Sequence, residues 1–305
     1  MPVAPVTSAR PSQTMVLCAG FGQRLRPLTD ELPKPLLPVG DRSVLAHIGS
    51  RLRALGRLDA VANTHWKHEK FNSIIEDLGI TLNLIHEPEI RGVAGAVGGA
   101  RAWLRAPVLV WSGDILIDQP PIDELVARAE RSGGLCLAVA PTQGAGTVGL
   151  DAAGRMVRVR GRVHGEEVQG ADYVSLFAAG ERALAEFPEQ GCLFDDYCLP
   201  RMRRGESIET CWVPGRWWDI GTPERYLQTN LDWLGGLDSS FVAPSAQVDA
   251  GVAFVSSVVG RGARVLGPGR IERCVIWPES VAHAPLSGCV VTPNSVLRVS
   301  PPAAP

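Results

Sequence analysis

Apolar residues along this chain come in short runs divided by turn chemistry. Residues 15–18 form the first, which breaks at Gly20 and Gly22. Runs at 60–63, 81–86, 107–111, 135–140, 172–178 and 209–213 read likewise as strands. Between them the period changes. Val44, Ile48, Leu52 and Leu55 fall on one helical face, with Ser43 as cap and Gly56 as stop. Residues 71–78, 122–131, 194–204 and 224–234 also read as helices, the last capped by Thr222 and opened by Pro223. Strands alternating with helices predict an α/β fold, a mainly parallel sheet with helices on both faces. From Gly144 to Gly170 the pattern becomes short strands with glycine turns, an antiparallel excursion.

Past Gly235 and Gly236 the character changes. Val242, Val248 and Phe254 recur every six residues, as do Val259, Val265 and Ile271, with small residues and prolines between. The triplets Ser257-Val258-Val259, Cys274-Val275-Ile276 and Cys289-Val290-Val291 repeat at about one coil of a three-sided solenoid. Hexapeptide periodicity of this kind predicts a short left-handed parallel β-helix. So short a stack has an open apolar end, which is expected to pack on its own α/β unit or against a second copy, giving a homo-oligomer. The expected organisation is a disordered leader over 1–13, an α/β domain over 14–236 and the β-helix over 237–300.

Composition narrows the classes. At 305 residues and 45% hydrophobic, the chain has enough apolar material for one large core and a small appended unit. A formal charge of -2 gives no basic field, so no nucleic acid partner is expected. The leader lacks an apolar segment and no run reaches transmembrane length, so no membrane partner is expected either. Seven cysteines without C-x-x-C spacing suit free thiols in a reducing compartment, which predicts a cytoplasmic protein. Of thirty basic residues only Lys34, Lys67 and Lys70 are lysines. That makes Lys34, held between Pro33 and Pro35, informative.

The candidate chemistry starts where the first strand ends. Glycines there let backbone N–H groups approach an anion closely, and Arg24, Arg26 and Lys34 wait beyond. The loop has no third glycine at Rossmann spacing and no Gly-Lys-Ser/Thr closure. Further along, the buried strand at 107–111 delivers Ser112-Gly113-Asp114 at its carboxyl end, where ligands bind in open α/β sheets. His65 and His68 are read as polar loop residues, and Asp195-Asp196 as capping a helix start.

G-x-G-x-R-L-x-P-L-T from Gly20 to Thr29, followed by P-K-P-L-x-P-V from Pro33 to Val39, closely resembles the signature of the sugar-1-phosphate nucleotidylyltransferases. Trp217-Trp218-Asp219-Ile220-Gly221-Thr222-Pro223 matches that family's second hallmark. The resemblance implies a Rossmann-like catalytic fold that joins a nucleoside triphosphate (NTP) to a sugar 1-phosphate and releases pyrophosphate. It implies that Arg24 cradles the pyrophosphate and Lys34 stabilises the α-phosphate, while Asp114 and Asp219 hold Mg²⁺. Cys18, Ala19, Gly20 and Gly22 would bind the nucleotide, with Glu87, Gly92, Ala94 and Gly95 reading the base. Glu87 suits the donors of a guanine edge, and a single uracil N–H suits it too. Tyr173 would line the sugar pocket. Ser112 stands where relatives carry Asn. Where many relatives carry Glu-Lys-Pro, this chain offers arginines, so Arg160 or Arg162 is expected to hold the sugar phosphate. The short tail points to mannose-1-phosphate guanylyltransferases, with a uridylyltransferase or a silent regulatory subunit as alternatives.

Overall fold

In the computed structural model, which describes residues 11–73, 78–236 and 239–299, the first apolar run becomes β1 (Ser12–Leu17). A short helix α1 (Leu28–Glu31) and the hairpin β2 (Pro38–Val39) and β3 (Arg42–Ser43) lead to α2 (Val44–Ala54). The Ser43 hydroxyl accepts the Ala46 N–H at 3.1 Å, and Gly56 at φ 72 lets the chain leave the helix. Then come β4 (Asp59–Thr64), β5 (Thr81–His86), α3 (Gly92–Gly99), β6 (Leu104–Ser112), β7 (Ile115–Ile117), α4 (Ile122–Ser132) and β8 (Leu135–Ala140). The excursion contributes β9 (Val148–Leu150), β10 (Met156–Val159) and β11 (Arg162–Val163), and the chain returns on the long β12 (Gln169–Ala179). Helices α5 (Glu181–Glu186) and α6 (Leu199–Arg203), strands β13 (Glu209–Trp212) and β14 (Trp217–Asp219), and α7 (Pro223–Trp233) complete this part.

Three elements depart most from expectation. Strand β1 begins at Ser12, inside the stretch read as leader, whose residues 1–10 lie outside the described residues. The helix expected over 71–78 is a 3-10 turn, His68–Ser73, with 74–77 outside the described residues. The helix expected over 194–204 opens with a wide π turn, Leu193–Cys198, before α6. Pro200 has no N–H to return to the preceding turn, which interrupts the regular ladder there.

The heart of the large sheet is parallel, in the order β6-β1-β4-β5. Strand β12 joins it antiparallel to both β6 and β8, so the far side is mixed. Successive residues of β6 feed two cores. Leu109 and Trp111 pack with Val44, Ile48, Leu52 and Tyr226 on one face, Val108 and Val110 with Ala94, Val97 and Tyr197 on the other. Period-2 alternation between two helix-covered faces is what buries this run completely.

Residues 239–299 form three short sheets visited in rotation, parallel except for the last strand, Val296–Arg298, which pairs antiparallel with Cys289–Val291. The six-residue repeat is what stacks: Val242 pairs with Val259, Val248 with Val265 and Phe254 with Ile271. Val259, Val265, Ile271 and Ile276 fill the interior. One face, with Val275, Trp277 and Val290, lies against the catalytic part. Buried Trp277 donates its indole N–H to the Tyr226 hydroxyl at 2.9 Å, which donates to the Pro38 carbonyl at 2.5 Å. Thr292 and Asn294 bind the Glu31 carboxylate, the latter at 2.8 Å. All seven cysteines are free thiols. Among the described residues no helix is long and apolar enough to cross a membrane.

Candidate active site

The glycine loop is built by closeness. Gly22 sits at φ 63, and a side chain there would start 2.7 Å from Thr29 Cγ2. Its carbonyl accepts the Thr29 hydroxyl at 2.9 Å, folding the loop into a 3-10 turn, Gln23–Leu25, that carries Arg24. Pro33 caps a second 3-10 turn, Lys34–Leu36, which holds Pro35 and whose lysine is only 9% exposed. A buried ammonium needs counter-charge. Two carboxylates supply it: Lys34 Nζ donates to Asp114 Oδ2 and lies 3.4 Å from Asp219 Oδ1.

A strand pairing brings those acids together. At Gly113 a Cβ would meet the Leu17 carbonyl and Cys18 Sγ at 2.9 Å, so only glycine lets the turn after β6 lie against the end of β1. Strand β7 follows, and β14 pairs antiparallel with it, setting Asp219 opposite Ile115 and next to Asp114. Arg225 Nη1 contacts the other Asp219 oxygen at 2.7 Å. Arg24 comes close to Gly221, where a Cβ would be 2.9 Å from Asp219 Oδ1 and 3.2 Å from Arg24 Nη2. Arg26 turns away to an exposed pair with Asp30 at 3.1 Å.

Both carboxylates converge on one point, where a cation already sits. Two hard oxygen donors at such a point fit a divalent ion that keeps its other positions for phosphate and water. No cluster of three or more acidic, histidine or cysteine side chains suited to a metal occurs among the described residues.

Beside this charged centre lies a cavity of about 210 Å³. Cys18, Ala19, Gly20, Glu87, Gly92, Lys34 and Asp114 all line it, together with Asn63 and apolar Ile90, Val93 and Ala96. Glu87 is buried, with its carboxylate held by Asn63 Nδ2 at 3.0 Å and by the Arg91 N–H at 3.4 Å. Asn63 Oδ1 accepts the Cys18 N–H at 3.0 Å, so one side chain joins β4, the glycine loop and the base-side wall. Burial, reinforced by the Asp114 carboxylate, pushes the Cys18 thiol far up, keeping it neutral. Replacing Asn63 with alanine strands the Cys18 N–H and one Glu87 oxygen. The expected loss is about 1–3 kcal/mol of stability and a severalfold higher KM for nucleotide. Urea unfolding and steady-state kinetics check it, and unchanged values for both would remove Asn63 from the site.

Other expected residues lie elsewhere. Ala94 is fully buried in the core, and Gly95 turns to the 188–191 segment, where a Cβ would be 2.7 Å from Gln190 Cα. The small residues of α3 at these two positions serve helix packing. Arg158 is committed to Glu167 at 2.7 Å. Arg160 occupies the left-handed tip of the β10–β11 hairpin, φ 54, with Asp195 3.7 Å away, and Arg162 is exposed on the same hairpin. The half-buried Tyr173 sits edge-on to Phe194 at 5.2 Å, outside the cavity lining. Asp196 accepts the Cys192 N–H at 2.7 Å, a capping contact. A larger hollow, about 780 Å³, lies at the seam with the C-terminal stack, and none of Arg24, Lys34, Asp114 and Asp219 lines it.

Two functional candidates are invisible in the sequence. Asn63 reads as one polar residue in a strand, and Arg225 as one of many arginines. Only the cap position of Thr222, whose hydroxyl accepts the Arg225 N–H at 3.3 Å, hints that Arg225 stands in the first helical turn beyond Asp219.

The chain matches the family model described as nucleotidyl transferase over residues 13–160. It is 28% identical over 307 residues to a probable mannose-1-phosphate guanylyltransferase 2 of Arabidopsis thaliana, covering 94% of this chain and 80% of that one. A mannose-1-phosphate guanylyltransferase of Mycobacterium tuberculosis is 27% identical over 303 residues, covering 91% and 82%. Among solved structures, HddC from Yersinia pseudotuberculosis complexed with GMP-PN superposes with a TM-score of 0.60 at 18% identity. That match covers 72% of this chain and 98% of that one, and shows a shared fold. Relatives aligned over more than nine-tenths of the chain thus agree with the family model, and the chain is an enzyme similar to the sugar-1-phosphate nucleotidylyltransferases.

Proposed function

We propose that this enzyme transfers a guanylyl group from GTP to a sugar 1-phosphate, with mannose 1-phosphate the preferred acceptor, releasing pyrophosphate. The observation that carries the reading is the Lys34 ammonium seated between Asp114 and Asp219 beside a nucleoside-sized cavity. The sugar phosphate oxygen is itself the nucleophile, so the protein has only to align it with the α-phosphorus and neutralise charge. Lys34 would offset the repulsion between the two phosphates and stabilise charge building on the α-phosphate. Arg24 and the loop N–H groups would bind the departing pyrophosphate. Asp114 and Asp219 would hold Mg²⁺, whose charge draws electron density from the α-phosphate. Asn63 fixes Glu87 on the cavity wall, where its acceptors meet the N–H donors of a guanine edge. The relatives' guanylyltransferase names support the same base.

Arg160 and Arg162, on a hairpin tip, are proposed to close over the sugar phosphate. We read residues 237–300 as a short left-handed β-helix, supported by the paired hexapeptide positions. Seven free cysteines support a cytoplasmic setting.

A pyrophosphate-release assay over the four NTPs and several sugar 1-phosphates with Mg²⁺ tests the reading. GTP with mannose 1-phosphate is expected to give the highest kcat/KM. A maximum with UTP would move the assignment to uridylyl transfer, and silence throughout with an intact fold would overturn it.

A further inference from the structure

We propose that Arg225 is an internal counter-ion that closes Asp219 to free divalent cations and releases it when nucleotide arrives. This rests on the metal role of Asp114 and Asp219 given above.

Both oxygens of Asp219 are taken. Oδ1 faces Lys34 Nζ at 3.4 Å and Oδ2 faces Arg225 Nη1 at 2.7 Å, while Asp114 Oδ2 accepts from the same ammonium. The two ends of the Arg225 pair are unequal. The Asp219 side chain is 20% exposed on a paired strand, whereas the Arg225 side chain is 61% exposed at the rim. The arginine is therefore the end free to swing.

Its position is poor for stability alone. A cation in the first turn of α7 opposes the helix dipole, and an exposed ion pair contributes little. The favourable account is chemical. Around the two carboxylates stand three cations, Lys34, Arg24 and Arg225, a surplus of positive charge that disfavours a bare dication. The same surplus attracts a metal–triphosphate complex, whose net charge is negative. Arg225, displaced from Asp219, then has phosphate oxygens within its reach, which a guanidinium grips in a planar fork. Arg225 is thus a positioning residue that ties metal entry to nucleotide entry.

Electron paramagnetic resonance of Mn²⁺, titrated into the full chain with and without a non-hydrolysable GTP analogue, tests this without turnover. Arg225→Gln is expected to bind Mn²⁺ alone about five- to tenfold more tightly than wild type. It should bind the Mn²⁺–analogue complex several-fold more weakly. Arg225→Lys, which keeps the charge, should exclude bare Mn²⁺ as wild type does. Equal affinity of wild type and Arg225→Gln for bare Mn²⁺ would overturn the proposal. A different failure, in which wild type binds Mn²⁺ neither alone nor with the analogue, would overturn the metal assignment beneath it. Circular dichroism confirms that the exposed substitutions leave the fold in place.

Discussion

Lys34→Ala is expected to lower kcat for pyrophosphate release by about 10²–10³-fold or more, while the chain still folds. The reason is geometric. One ammonium touches both Asp114 and Asp219, and no other lysine lines the cavity. Without it, the two carboxylates face each other and the phosphates lose the group that draws them together. Some stability goes too, because a largely buried counter-charge is removed; about 1–3 kcal/mol is expected, with partial recovery in millimolar Mg²⁺. Lys34→Arg is not expected to rescue turnover. A planar guanidinium spreads its charge over a fork and cannot place one point charge between two acids. Rapid-quench measurement of the first turnover, with circular dichroism as the fold control, decides the matter. Wild-type turnover in Lys34→Ala would falsify the site.

Trp277→Ala is expected to destabilise the protein by about 3–5 kcal/mol, the usual loss for a large buried aromatic side chain. Trp277 is 2% exposed and packs in the same core as Tyr226 and Leu36. Its indole N–H meets the Tyr226 hydroxyl, which in turn holds Pro38 at the end of the lysine-bearing segment. Trp277→Phe keeps most of the apolar contact and loses one hydrogen bond, so it should cost only about 1 kcal/mol. The pair separates packing from polar anchoring. Urea unfolding followed by far-ultraviolet circular dichroism reads both, and KM for the sugar phosphate reports whether loosening Pro38 reaches the site. A Trp277→Ala protein with an unchanged midpoint would mean that the C-terminal stack does not rest on the catalytic part.

Much of the fold is legible because its causes are local. The runs at 81–86 and 135–140 become strands with those same limits, and Ser43 and Thr222 cap the helices they precede. The hexapeptide positions of the tail pair with one another between short parallel strands. Legibility fails where a neighbour distant in sequence decides. The small residues of α3 suit a nucleobase as well as close packing. The backbone at Gln190 packs against Gly95, while Gly92, with a Cβ that would lie 2.5 Å from the Gly191 carbonyl, meets the Gly191 backbone and the cavity alike. Asn63 and Arg225 have no local signature, since their significance lies in Glu87 and Asp219.

From residue order alone came the parts: a glycine loop shaped by φ > 0 and tight turns, a lysine clamped by prolines, two aspartates in recognisable settings, and a repeat that stacks. These follow from dihedral preference, side-chain periodicity and short-range hydrogen bonding, which act within a few positions. Only the tertiary structure decided that β14 lies against β7, that Asp219 thereby stands beside Asp114, and that Lys34 and Arg225 divide its oxygens. Charge pairing works through space and not along the chain, so that meeting is set by strand register and by what the burial of Lys34 demands.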